Sequence, residues 1–393
     1  MYDVIVVGAR CAGAATALLL ARRGHRVLLL DRARFPADTM STLYIHQPGV
    51  ARLARWGVLD AVVASGCPPL DTVHHHVADV RLSSPAPAAD GASCGYAPRR
   101  RVLDAILVDA AVAAGAEFAD GCRVRELRER GGRVTGVGYG TPGGGHAVAD
   151  ARLVVGADGM NSAVAGLAGA AVVAEHPKLS CVYYSAWTGV TGGFGFHERT
   201  GNWVARIPTH DGVTLVATYF PQDRFDEVRA NALDAHLAAV AATAPELRDQ
   251  LAYAERVDRL RGTGDQRNFF RAAAGPGWAL VGDAGHHRDT ITAQGITNAL
   301  AQAELLADAI GDEVGDPGRL DAALRAFGRA RDDALADGYR STLELARLRV
   351  PPERLEFLRA ISGTPALVER YFALTAGLLD SEEFLTPEVV ALL

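Results

Sequence analysis

Val4-Ile5-Val6-Val7-Gly8-Ala9-Arg10-Cys11-Ala12-Gly13 decides the fold of this chain. The β-branched run has no polar alternation, which is the signature of a strand buried on both faces. A glycine turn and an alanine-rich helix from Ala14 to Arg23 follow, and Gly24 sits where a helix C-cap belongs. Val27-Leu28-Leu29-Leu30 then supplies the next parallel strand, completing a βαβ unit at residue 31. Gly8-x-x-x-x-Gly13 between strand and helix is where a nucleotide pyrophosphate meets helix N-terminal amides. Asp31 closes the second strand, placed to accept hydrogen bonds from ribose hydroxyls. Arg10 occupies the position of the usual middle glycine, which a negative φ permits. Its guanidinium either adds charge beside the pyrophosphate or points into solvent.

Outward from this unit, residues 48–65 read as a helix and residues 102–114 as a second, with Leu103, Ile106, Leu107 and Ala110 on one face. Glycines between 131 and 145 punctuate hairpin strands, and residues 179–220 alternate as antiparallel strands do. A helix over 226–252 follows. After a further strand–turn–helix segment near 278–310, the chain is helical to its end, broken at Pro351-Pro352 and Pro387. The fold class expected is α/β: a Rossmann-type nucleotide domain interwoven with an antiparallel-sheet substrate domain, plus a helical C-terminal region. The nucleotide domain is assigned to 1–70, 99–172 and 264–317, the substrate domain to 71–98 and 173–263, and the helices to 318–393.

Composition narrows the function. At 393 residues with 49% apolar and 22% charged residues, two cores are affordable. A net charge of −6 argues against a nucleic-acid partner, which selects for a basic stripe. The five cysteines, Cys11, Cys67, Cys94, Cys122 and Cys181, are scattered without a C-x-x-C pair, so neither a disulfide framework, a zinc site nor any other metal centre is expected. No signal peptide is expected ahead of the first strand, and apolar runs fall short of the ~18 residues of a membrane span. A cytoplasmic location follows as the expectation; the oligomeric state is not legible.

Two later stretches choose the dinucleotide. Leu153-Val154-Val155-Gly156-Ala157-Asp158-Gly159-Met160-Asn161-Ser162 resembles the DG motif of the p-hydroxybenzoate-hydroxylase-like (class A) FAD-dependent monooxygenases. Trp278-Ala279-Leu280-Val281-Gly282-Asp283-Ala284-Gly285-His286 resembles their GD motif. With the glycine turn, the three lie in the family's order and spacing. The resemblance covers about residues 1–310, on the branch near geranylgeranyl-reductase-like and flavin-halogenase-like proteins. It implies that Asp283 holds the ribityl and diphosphate region of FAD and that Asp158 sits near the pyrophosphate. Arg100, in Arg100-x-x-Leu103-Asp104, would neighbour the ribityl-phosphate chain. Gln294-Gly295-Ile296 opens a helix whose N-terminal amides would favour the anionic reduced flavin. The expected FAD contacts are therefore Gly8, Arg10, Cys11, Ala12, Gly13, Asp31, Arg32, Arg100, Asp158, Gly282, Asp283, Gln294, Gly295 and Ile296. Ser41 and Thr42, in the segment from Phe35 to Pro48, are further possible contacts.

No second fingerprint is present, so NAD(P)H is expected as a transient reductant rather than a resident. The resemblance implies a monooxygenase that uses molecular oxygen through a flavin C4a-hydroperoxide to attack an aromatic or polyketide-like small molecule. Tyr183, Tyr184, Trp187, Phe194, Phe196, Trp203 and Tyr219 either line a substrate pocket or form sheet core. His46, His197 and His210 are candidates for a substrate base by residue type and region; catalytic residues are otherwise unassigned. His74-His75-His76 reads as a solvated strand edge whose side chains alternate between faces. Thr290 replaces a family proline and Ala165 a family arginine. The alternatives are a reductase or dehydrogenase of an isoprenoid-like chain and a flavin halogenase. Trp203-x-x-x-Ile207-Pro208 echoes a halogenase motif, but Ala205 replaces its second tryptophan and Lys178 is the only lysine.

Overall fold

The computed structural model describes residues 1–392. Tyr2–Val7 forms the central strand of a sheet, with Val27–Leu30 parallel on one side and His146–Gly156 parallel on the other. Trp278–Leu280 extends the parallel set beyond His146–Gly156, and Glu117–Ala119 extends it beyond Val27–Leu30. From Asp3 to Val7 the first strand is buried throughout, as its uninterrupted apolar run demands. The helix Cys11–Arg22 packs on one face with Arg100–Ala113 and Gly295–Ile310. The glycine-punctuated hairpin Arg123–Arg130 and Arg133–Gly140 continues antiparallel from His146–Gly156.

A second sheet of eight strands is built mainly from Ser180–Thr188, Val213–Pro221, Asn202–Pro208, Phe194–Arg199, Thr72–Val77 and Val80–Pro85. Its pairings are antiparallel except that Phe194–Arg199 runs parallel to Thr72–Val77. The triple histidine therefore sits inside the sheet, not at a solvated edge. Alternation holds, and His75 is buried. The edge assignment failed because the strand's partner lies more than a hundred residues away. A third, three-stranded sheet joins Val172–His176, Asn268–Arg271 and His286–His287.

Two long helices of the sequence reading are segmented. Residues 48–65 divide into Gln47–Arg55 and Leu59–Ala64, because Gly57 adopts φ 62° between them. Residues 226–252 divide into Phe225–Ala230, Ala232–Thr243 and Pro245–Leu251. Ala244 leaves the helical region (φ −137°, ψ 67°), as the residue before a proline is driven to do.

The C-terminal helices cover the aromatic face of the large sheet. Leu358, Ile361, Leu367, Val368, Tyr371 and Phe372 share one core with Phe194, Trp203, Tyr219 and Tyr44. The long helix Pro317–Ala346 instead lays Leu320, Leu324 and Phe327 against the nucleotide-side core. Among the described residues no helix is long and apolar enough to cross a membrane.

Candidate functional site

A cleft of about 540 Å³ runs along the C-terminal ends of the parallel strands. Gly8 turns the chain there with φ 102°, and a Cβ on it would lie 2.4 Å from the Ala157 carbonyl oxygen. A Cβ on Gly13 would sit 1.7 Å from the Gly8 carbonyl oxygen. Only glycine lets the turn, the helix and the DG strand close together. No side chain caps the helix Cys11–Arg22, so its first amides stay open at the cleft. Asp31 faces the same space, its carboxylate accepting from the Ala9 amide at 2.7 Å and from the Ala33 amide at 2.7 Å. Arg32 lines the cleft beside it.

Arg10 lines the cleft rather than pointing out into solvent. Its φ is −86°, and its Nη1 donates to Asp104 at 2.8 Å and to the Ala37 carbonyl at 3.2 Å. Asp104 is fully buried and also accepts from Arg100 Nε (3.1 Å) and Nη2 (3.0 Å) and from Cys11 Sγ (3.2 Å). One carboxylate thus fixes Arg10, Cys11 and Arg100, all of which line the cleft. Asp104 stood inside the quoted motif, yet nothing local marks it as the hub. Its partners come from two helices almost a hundred residues apart.

Asp158 lines the cleft but spends its carboxylate on the helix behind it, accepting from the Ser162 hydroxyl and from the amides of Ala163 (2.6 Å) and Val164 (3.2 Å). Ser162 in turn caps Ala165 at 2.9 Å. Ala165 is thereby a buried first-turn residue rather than a charged contact. Asp283 differs. It projects into the cleft from the turn Gly282–Ala284, and among the described residues no hydrogen bond to its carboxylate is formed.

At the other end, the strap Asp289–Ala293 leads into the helix Gly295–Ile310, whose N-terminus has no side-chain cap. Gln294, Gly295 and Ile296 line the cleft, and a Cβ on Gly295 would meet nothing within 4 Å. Gln294 is anchored by Nε2 to the Thr375 carbonyl at 2.9 Å. Thr290 explains its own departure from proline. Its amide donates to Gln266 Oε1 at 3.2 Å, a bond proline lacks the N–H to make. Its hydroxyl also donates to Gln266, and Tyr219 donates to the Thr290 carbonyl at 3.1 Å. Beneath the strap, Asp289 accepts from the Ser180 hydroxyl at 2.7 Å and from the Ile291 amide at 3.1 Å. Burial pushes its carboxyl up to about 6.

His46, His197 and His210 lie outside the cleft lining. His46 is buried with Nε2 on the Thr292 carbonyl at 3.0 Å, and burial lowers it to about 4. His197 packs against His76 and is lowered to about 3 by burial. His210 bridges Ser65 (2.9 Å) and the Arg99 amide (3.2 Å), and is likewise lowered by burial. Of the Phe, Tyr and Trp side chains described, Tyr44 alone lines the cleft, stacked on Phe194 at 3.8 Å between centroids. Ser41 and Thr42 line it too, and the Ser41 amide donates to the Tyr184 hydroxyl at 2.9 Å.

The cleft thus offers what FAD requires: open amides at two helix N-termini, a strand-end carboxylate, a second carboxylate free of internal partners, and glycine-made room along the wall. The family model described as FAD binding domain matches residues 1–325, and the chain belongs to that family. Among curated relatives, Protein FixC of Salmonella typhi is 30% identical over 179 residues, covering 42% of this chain but only 38% of FixC. A 1H-pyrrole-2-carbonyl peptidyl-carrier-protein brominase of Pseudoalteromonas luteoviolacea is 23% identical, over 79% of this chain and 77% of its own. Among solved structures, the flavin-dependent brominase Bmp2 superposes with a TM-score of 0.85 at 19% identity, covering 99% of this chain and 97% of the brominase. The myxobacterial chondrochloren halogenase CndH gives 0.81 at 22% identity, covering 100% and 95%. PqsL of Pseudomonas aeruginosa in complex with 2-aminobenzoylacetate gives 0.71 at 19% identity, covering 95% and 99%. At these identities the likeness establishes the shared fold.

Proposed function

We propose that this chain is a monooxygenase that takes two electrons from NAD(P)H and places one atom of molecular oxygen in an aromatic or polyketide-like small molecule, the other leaving as water. The carrying observation is the convergence of the Gly8 turn, Asp31, Arg100, Asp283 and the Gly295 helix N-terminus on one cleft. FAD, when bound there, supplies the redox chemistry with both nicotinamide and oxygen. The amides after Gly8 would hold the pyrophosphate, Asp31 the ribose and Asp283 the ribityl hydroxyls. The open amides of Gly295 and Ile296 would favour negative charge on the reduced ring. Tyr44, Thr42 and the strap would bound the substrate and exclude water. The aromatic ligand of PqsL, a protein of the same fold, is consistent with such a substrate.

Halogenation is the second reading, favoured by the brominase match across 79% of this chain. Against it, Lys178 is the only lysine, lies on the surface and pairs with Asp265 at 2.6 Å. Trp203 of the partial halogenase motif is buried beneath the C-terminal helices. The test is to load the purified protein with FAD, add NADH or NADPH, and supply candidate aromatic substrates under oxygen-18. Label in the product establishes oxygenation. Bromide- or chloride-dependent product overturns it for the halogenase, and oxygen-independent turnover for a reductase. A protein that stays colourless after incubation with FAD removes the flavin assignment itself.

A further inference from the structure

The stretch matched by the family model ends at residue 325, yet a group that fixes the cleft wall lies beyond it. The helix Pro365–Ala376 closes on Gly377, whose left-handed backbone (φ 75°) turns the amides of Gly377 and Leu378 back to the carbonyls of Leu374 and Ala373. The Thr375 carbonyl receives no amide from this turn. It is taken instead by the Gln294 carboxamide, whose Nε2 donates to it at 2.9 Å. Gln294 stands immediately before the helix Gly295–Ile310, so one side chain ties the end of a late helix to the start of the helix at the cleft.

That bond decides how the carboxamide is turned. A carbonyl can only accept, so the nitrogen must face Thr375 and the oxygen must face away from it. Gln294 is 7% exposed and lines the cleft, and among the described residues nothing donates to its Oε1. Unlike the orphaned oxygens of Gln47 and Gln302, this atom is not walled in, so it opens on the cleft. Directly after it come the amides of Gly295 and Ile296, which have no side-chain cap. The helix start therefore sets two donors beside one fixed acceptor. Space is kept in front of them, since a Cβ on Gly295 would meet nothing within 4 Å. A flavin ring carries the complement along one edge: a ring nitrogen and a carbonyl oxygen that accept, next to an imide N–H that donates. Adenine, at the other end of FAD, has no imide.

We propose that Gln294 Oε1 accepts the imide N–H of the isoalloxazine ring, and that the Thr375 carbonyl, by holding Gln294 Nε2, makes the C-terminal helix part of the flavin site. Gln294 is then a specificity-determining contact for the ring, and Thr375 a positioning residue that acts through it. The inference rests on the reading that FAD occupies the cleft, and adds which group of the ring is recognised and what aims the recognising atom.

The experiment measures, by fluorescence titration of the full-length apoprotein, the affinities for FAD and for FAD methylated at the imide nitrogen, which keeps every other group but has no N–H to give. Wild type should prefer FAD by about tenfold. Gln294→Ala removes the acceptor and leaves room for the methyl group, so it should bind the two flavins equally within about twofold, its loss falling on FAD. Gly377→Val strains the left-handed cap that aims the Thr375 carbonyl, so the preference should shrink several fold. This second variant secures the test if Gln294→Ala does not fold. A general loosening of the helix start would weaken both flavins alike and preserve their ratio, so the ratio separates a contact from a scaffold. Equal affinity of wild type for the two flavins, or an undiminished preference in Gln294→Ala, overturns the contact while leaving FAD in the cleft. An unchanged preference in Gly377→Val overturns the part given to the C-terminal helix. Wild type that binds neither flavin overturns the cofactor reading itself, and this inference with it.

Discussion

Two buried carboxylates organise this molecule, and they do different work. Asp104 gathers Arg10, Arg100 and Cys11 at the wall of the cleft, so its partners keep surfaces turned toward a ligand. Glu198 accepts from Nη1 and Nη2 of Arg354 (2.6 and 2.8 Å) and lies 3.3 Å from His75 Nε2, whose Nδ1 meets Tyr371 at 3.0 Å. That second cluster is shut between the large sheet and the C-terminal helices, away from the cleft. Similar chemistry therefore orients a binding surface in one place and fastens one layer to another in the other. Which of the two a cluster does depends on whether its outer face borders open space.

Removing the fastening should have the largest effect. Arg354→Leu leaves Glu198 charged and enclosed, and should cost about 3–5 kcal/mol in urea unfolding, with FAD affinity of the folded fraction unchanged. Lost FAD affinity at preserved stability would erase the distinction between the clusters. Asp289 supplies a third case, a buried carboxyl without a cation. Its raised value means the folded state keeps a proton that the unfolded chain has released. Its contribution is therefore present below about pH 4 and lost as pH rises through about 6, roughly 3 kcal/mol in all. Asp289→Asn should remove this slope, seen as a difference from wild type in unfolding midpoints between about pH 4 and pH 7. Parallel pH profiles would show that Asp289 titrates as an ordinary surface acid.

Smaller effects sharpen the cleft side. Arg10→Ala should weaken FAD binding by about 1.5–3 kcal/mol with a lesser change in stability, measured by fluorescence titration of the apoprotein. A stability loss without an affinity loss would make the Asp104 cluster a second fastening. Ser162→Ala removes the cap on Ala165 and frees one bond to Asp158. It should cost ~1 kcal/mol and leave FAD affinity within about twofold, as expected of a residue one step behind the wall.

Local rules carried much of the sequence reading. The βαβ unit followed from Val4–Val7, the Gly8 turn and Gly24, because a buried strand and a glycine cap are properties of adjacent residues. The helix at Gln294-Gly295 was visible for the same reason. The failures are long-range. His74–His76 was set at an edge because its neighbour Phe194–Arg199 enters from the far side of the sequence. The aromatic residues could be read as pocket or core; for Phe194, Trp203 and Tyr219 the choice belonged to helices that arrive after residue 350, and for Tyr183 and Trp187 to the helices between 225 and 251. Arg10 found Asp104, and Gln294 found the Thr375 carbonyl, for reasons no window around either residue contains.

The cleft wall is drawn from Gly8, Asp31, Arg100, Asp158, Asp283 and Gln302, spread over three quarters of the chain. During synthesis, then, no nascent polypeptide shorter than about three hundred residues can present the whole pocket. A chain stopped before the Gly295–Ile310 helix lacks that segment of the wall, however well its first βαβ unit has folded.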